Sequence, residues 1–79
     1  MRKLPVLSAR EVLKTLANFG FILIRQRGSH MIIGKQTASG KKGAVIPKYD
    51  EIATGTLKSI LKQAKVSEDD FLRVLKKRP

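Results

Sequence analysis

Two apolar, β-branched stretches, "FILIRQR" and "HMIIGK", are separated by only Gly28 and Ser29. Two residues between strand-like runs leave room for nothing but a tight reversal, and glycine supplies the positive φ that such a turn demands. This hairpin commits the chain to an antiparallel sheet. "AVIP" reads as a third strand, ended by Pro47, because proline cannot donate to a ladder. The intervening "QTASGKKG" reads as a flexible, basic loop flanked by Lys35, Lys41 and Lys42.

Helical signals surround the strands. In "SAREVLKTLANFG", Ser8 is followed three residues later by Glu11, the pattern of a capping box. Val12, Leu13, Leu16 and Phe19 recur at helical spacing, and Gly20 stands where a left-handed C-terminal cap belongs. These signals predict a helix over about 9–18. "TGTLKSILKQAK" places Leu57, Ile60, Leu61 and Ala64 on one helical face. Ser67 starts a last short helix, with Asp70 at its third position and an apolar stripe of Phe71, Leu72 and Leu75. The order α-β-β-β-α-α predicts an α+β fold with helices packed on one face of a three-stranded antiparallel sheet. A chain of 79 residues suffices for one small domain, 1–79, and is too short to cover both faces of its sheet.

Charge is the first pointer to function. Seventeen Lys and Arg against six Asp and Glu give a net charge of +11, more than solubility requires, and point to nucleic acid or an acidic protein as partner. There is no cysteine, and the six carboxylates are scattered around a single histidine without metal-ligand spacing. No metal or other cofactor is expected. No apolar run is long enough to span a bilayer, so the expectation is a cytoplasmic protein with no membrane partner.

The single histidine, His30, directly follows the Gly28-Ser29 turn. A two-residue loop puts Arg27 opposite His30 on the same face of the hairpin. Uninterrupted alternation then assigns Phe21, Leu23, Arg25, Arg27, His30 and Ile32 to one face, and Ile22, Ile24, Gln26, Met31 and Ile33 to the other. The second set is more uniformly apolar and is expected to face the core, leaving His30 open beside Arg25 and Arg27. The exposed Leu23 and Ile32 would then form an apolar patch suited to a protein partner.

Such a site suits phosphodiester chemistry. Histidine exchanges protons near neutral pH, and arginines bind phosphate and stabilise charge developing at phosphorus. RNA supplies its own nucleophile, the 2′-hydroxyl, so cleavage needs only proton transfer and cations. Arg25 and Arg27 are the best phosphate ligands, with Ser29, Lys35, Lys41 and Lys42 as further candidate RNA contacts. Plainer readings exist for each. Gly28 and Ser29 are turn formers, the lysines are solvated charges, and simple RNA binding accounts for the charge without catalysis. Lys58, Lys62 and Lys65 recur on the side of their helix away from the apolar stripe, a solvated face.

The chain resembles the HicA (YcfA-like) family of toxin ribonucleases. The resemblance rests on "LKTLANFGFILIRQRGSHMII" with its Gly-Ser-His turn, on "AVIP", on "GTLKSILKQA" and on "VSEDDFLRVL", in that order. It implies a fold similar to double-stranded RNA-binding domains and a metal-independent endoribonuclease that cuts mRNA. It further implies His30 as the catalytic residue, general base or acid, and a HicB-like antitoxin protein as inhibitor. The sequence departs from the family pattern at two positions. Tyr49 stands where many members carry a second histidine, two residues after the strand-ending proline, and a phenol is a poor base near neutral pH. Lys65 stands where the preceding helix often ends in glycine. A non-catalytic RNA-binding module of the same fold is a rival reading, because charge and architecture fit both, and the first departure keeps open a third, an inactive toxin remnant that still binds its antitoxin.

Overall fold

The computed structural model describes residues 4–77. Its elements are α1 (Ala9–Ala17), β1 (Ile22–Arg27), β2 (His30–Thr37), β3 (Gly40–Pro47), α2 (Thr54–Ala64) and α3 (Glu68–Lys77). The three strands form one antiparallel sheet in the order β1-β2-β3. This is the α+β order expected from the sequence.

The helix boundaries follow from side-chain chemistry. The Ser8 hydroxyl accepts from the Glu11 amide at 3.2 Å, while the Glu11 carboxylate accepts from the Ser8 amide at 3.0 Å. Two otherwise orphaned donors at the start of α1 are thereby satisfied. After α1 the chain reverses at Gly20, whose φ of 94° is open to glycine at little steric cost. The Ser67 hydroxyl caps α3 by accepting from the Asp70 amide at 3.1 Å. α2 ends at Lys65 in the left-handed conformation, φ 60° and ψ 37°.

The core lies between the helices and one face of the sheet. Val12 and Leu16 of α1, Leu57, Ile60, Leu61 and Ala64 of α2, and Phe71 and Leu72 of α3 are buried with Met31, Ile33, Ala44 and Ile46 from the strands. The N-terminal segment is anchored by a bridge between Leu7 and Ile52, with the Ile52 amide donating to the Leu7 carbonyl at 2.7 Å. The free edge of β3 is partly closed by α2, because Gln63 accepts from the Val45 amide at 3.1 Å. β1 forms the opposite edge and is exposed along its whole length.

Two expectations fail in the sheet, each for a local reason. Strict alternation along β1 breaks at Ile24. Leu23 pairs with Ile33 but Arg25 pairs with Ile32, so β1 carries one extra residue, a β-bulge. Beyond the bulge the faces are as expected, with Arg25, Arg27, His30 and Ile32 together on the open side. Before it they exchange. Phe21 is only 1% exposed, in the core, and Leu23 shares the core-side face with Ile33. Ile22 and Ile24 are 63% and 56% exposed, and Ile24 lies across Gly34 on the open face. The bulge lets Phe21 reach the core while keeping the arginines out of it.

The second failure concerns the basic stretch after β2. "QTASGKKG" is no flexible loop but a second hairpin. β2 runs on to Thr37, β3 begins at Gly40, and only Ala38 and Ser39 connect them. Gly40 has φ 123°, and the Thr37 hydroxyl closes the reversal by donating to the Gly40 carbonyl at 2.6 Å. Lys41 and Lys42, which read as loop residues, instead lie on a paired strand, opposite Gln36 and Lys35.

Candidate functional site

The Gly28-Ser29 turn places His30. Gly28 has φ 56° whereas Ser29 does not adopt a positive φ, which is the pattern of a type II′ reversal. Arg27 consequently pairs directly with His30, and Arg25 pairs with Ile32 one step further along the same face. Arg25, Arg27, Ser29 and His30 are all exposed. Arg27 and Arg25 therefore both stand on the β1 side of His30 on an open, paired surface, Arg27 directly opposite it and Arg25 diagonal to it, and directly opposed side chains in such a ladder stand only about 5 Å apart at Cβ.

The other flank of His30 is β3 and the chain that follows it. His30 pairs with Pro47, and the Lys48 amide donates to the Ser29 carbonyl at 2.6 Å. The Tyr49 amide turns back to the Pro47 carbonyl at 2.8 Å, a γ-turn, and the Tyr49 carbonyl accepts from the Ala9 amide at 2.9 Å. The His30 turn, the end of β3 and the start of α1 are thus joined in series by backbone hydrogen bonds. The buried Pro47 ends the strand and frees Lys48 and Tyr49 to leave the sheet beside His30.

The six expected contact residues do not form one cluster. Arg25, Arg27 and Ser29 adjoin His30. Lys35 is occupied elsewhere. Its ammonium donates to the Phe19 carbonyl at 2.6 Å and lies 5.0 Å from the centre of the Phe21 ring, tying β2 to the end of α1. Lys42 pairs with Lys35 on the helix-side face, away from His30. Lys41 shares the open face but sits opposite Gln36, six residues along β2 and about 20 Å from His30.

Other residues gather where the chain leaves β3, and of these the sequence analysis named only Tyr49. A cleft of about 520 Å³ opens between the start of α1 and the chain that leaves β3, lined by the polar Arg10, Lys48, Tyr49 and Asp50 and the apolar Leu13 and Met31, the residue after His30. Lys48 was legible in principle, because it follows the register partner of His30. Arg10 carried no such signal, since long-range backbone contacts, the Ala9–Tyr49 bond and the Leu7–Ile52 bridge, bring the start of α1 to this place. Among the described residues no cluster of three or more His, Asp or Glu side chains could hold a metal ion.

The arrangement puts an exposed imidazole beside cations on one face of the sheet, and such groups are able to transfer protons and to bind anions. A family model described as the HicA toxin of bacterial toxin-antitoxin matches residues 9–66, nearly three quarters of the chain, from the first turn of α1 to just past α2. The matched stretch contains His30 and both arginines, whereas α3 lies beyond it. No curated protein matches the sequence.

Proposed function

The chain belongs to the HicA toxin family of bacterial toxin-antitoxin systems, and we propose that it acts as a metal-independent endoribonuclease on mRNA, with His30 as its catalytic residue. The observation that carries this reading is the placement of His30, exposed on the open sheet face and paired with Arg27, with Arg25 on the same face and the Lys48 backbone bonded to its turn. Arg25 and Arg27 hold the scissile phosphate and offset the charge that builds on its oxygens. His30 moves a proton at the attacking 2′-hydroxyl or at the departing 5′-oxygen. The net charge of +11 supports a polyanionic substrate.

The test is the chemistry of the product ends. Attack by the 2′-hydroxyl leaves a 2′,3′-cyclic phosphate and a 5′-hydroxyl, and an RNA bearing 2′-O-methyl groups throughout resists cleavage while still binding. Cleavage of the methylated strand would contradict this route.

The same reading includes a HicB-like antitoxin. The open face carries the exposed Ile22, Ile24 and Val45 around Gly34 and Gly43, continuous with the side on which Arg25, Arg27 and His30 lie. A protein that covers these apolar groups also covers the proposed site. β1 contributes Ile22 and Ile24 to this patch in place of Leu23, which alternation alone implied, because of the bulge, while the half-buried Ile32 stays on the open face as expected.

A further inference from the structure

We propose that Tyr49 is a stacking platform for one unpaired RNA base, held in the cleft between β3 and α1, and that it sets the nucleotide next to the one cut at His30. The inference rests on the ribonuclease reading for its substrate and extends it to a residue that the family pattern does not supply.

Tyr49 differs from the other aromatic residues of the chain. Phe21 and Phe71 are buried and Phe19 packs against the core, whereas Tyr49 is 54% exposed. An exposed ring on a loop is ordinarily mobile, but the backbone of Tyr49 is fixed on both sides. Its amide donates to Pro47 and its carbonyl accepts from Ala9. Two Cα steps, across the strand pair and around the γ-turn, put it within about 11 Å of His30. A preorganised aromatic face beside a cationic site is what single-strand binders use, because every base has a π-face and the ring loses little freedom on binding.

The surroundings fit a nucleotide. The cleft of about 520 Å³ has the size of a small-ligand pocket, lined by the apolar side chains of Leu13 and Met31 and by the cations Arg10 and Lys48. The first amide of α1 is already taken by Tyr49, and those of Ser8 and Glu11 are used by the capping box, so phosphate contacts fall to the side chains of Arg10 and Lys48. Asp50 in the same lining repels phosphate and confines the backbone to the cationic side, leaving the base toward the ring. A duplex cannot use this platform, since its bases are stacked on one another. The site therefore selects single-stranded segments.

The chain contains one tyrosine and no tryptophan, so its tyrosine fluorescence reports on Tyr49 alone. The experiment titrates the full-length protein with a 2′-O-methyl single-stranded RNA and, separately, with a 2′-O-methyl ribose-phosphate strand of equal length lacking bases, at one salt concentration. The expected result is quenching of the wild-type tyrosine by the base-bearing strand only; by fluorescence anisotropy of the end-labelled base-bearing strand, affinity is about 5- to 150-fold weaker in Tyr49→Ala and retained in Tyr49→Phe. Equal quenching by both strands, or unchanged affinity in Tyr49→Ala with its fold intact by circular dichroism, would overturn the proposal. So would a Tyr49→Ala change that weakens only antitoxin binding. Because neither strand can be cut through a 2′-hydroxyl, loss of quenching refutes the platform, while a failure of wild-type protein to cleave ordinary RNA refutes the ribonuclease reading and leaves the platform standing.

Discussion

The amide of Lys48 donates to the carbonyl of Ser29 at 2.6 Å, and this bond fastens the catalytic turn proposed here to the strand end that carries Tyr49. Through it, two segments almost twenty residues apart share one rigid surface. The orientation of His30 is therefore a property of the turn conformation as much as of the strand.

Gly28 sits at φ 56° with open space where a Cβ would stand, so the cost of a side chain there is conformational rather than steric crowding. Gly28→Ala is expected to lower stability by about 1–2 kcal/mol, measured by urea unfolding. If the turn relaxes to relieve that strain, His30 is re-aimed, and cleavage should fall by roughly 10- to 100-fold while RNA affinity changes little. Cleavage that tracks stability alone would show that the turn does not set the histidine.

The cations of the hairpin divide into two kinds, and salt dependence separates them. Arg25 and Arg27 stand on the β1 side of His30 and are free to meet phosphate. Replacing either with Ala should reduce the slope of log affinity against log salt by about 0.7 on a single strand. Lys35 already donates to Phe19 and covers the Phe21 ring. Lys35→Ala should leave the slope unchanged and lower stability by about 1 kcal/mol. A fall in slope for Lys35→Ala would return it to the RNA interface.

Ile24 lies on the open face only because of the bulge. Ile24→Asp should weaken binding of the cognate antitoxin at least 10-fold by calorimetry, since a charge buried at an apolar contact is costly. Cleavage by the free protein should fall with the added negative charge beside Arg25, so Ile24→Ser is the control that should weaken antitoxin binding while leaving cleavage near the wild-type rate. An unaffected antitoxin affinity would place the antitoxin on another surface.

Lys65 is the single non-glycine residue with positive φ among the described residues. Its amide bonds to Lys62 at 3.2 Å and the Val66 amide to Leu61 at 3.0 Å, so the cap is formed despite the side chain. Lys65→Gly relieves the left-handed strain but adds freedom to the unfolded chain. The balance should raise stability by about 0.5–1 kcal/mol, seen as a melting temperature several degrees higher, with cleavage unchanged.

Much of this was legible in the sequence because the signals were short-range. Ser8 and Glu11, Gly20, the Gly28-Ser29 reversal and the spacing of Leu57, Ile60 and Leu61 each act within one turn or one hairpin. The pairing of Arg27 with His30 followed from loop length alone. The bulge at Ile24 did not. It answers to the need to seat Phe21 in the core across the sheet, and alternation has no means of registering that demand. The second hairpin was hidden by its composition, since Gly40, Lys41, Lys42 and Gly43 read as loop residues although each pairs with a residue of β2. Arg10 came to the cleft through contacts between distant backbone atoms, of Ala9 with Tyr49 and of Leu7 with Ile52.

The account turns on His30. The most direct measurement is cleavage of a single-stranded RNA by wild-type and His30→Ala protein in EDTA, with gel-shift binding on the same samples. The account predicts that wild type cuts, that His30→Ala does not, and that both bind with similar affinity. Equal cleavage by the two proteins, or cleavage by wild type only when a divalent metal is restored, would contradict it.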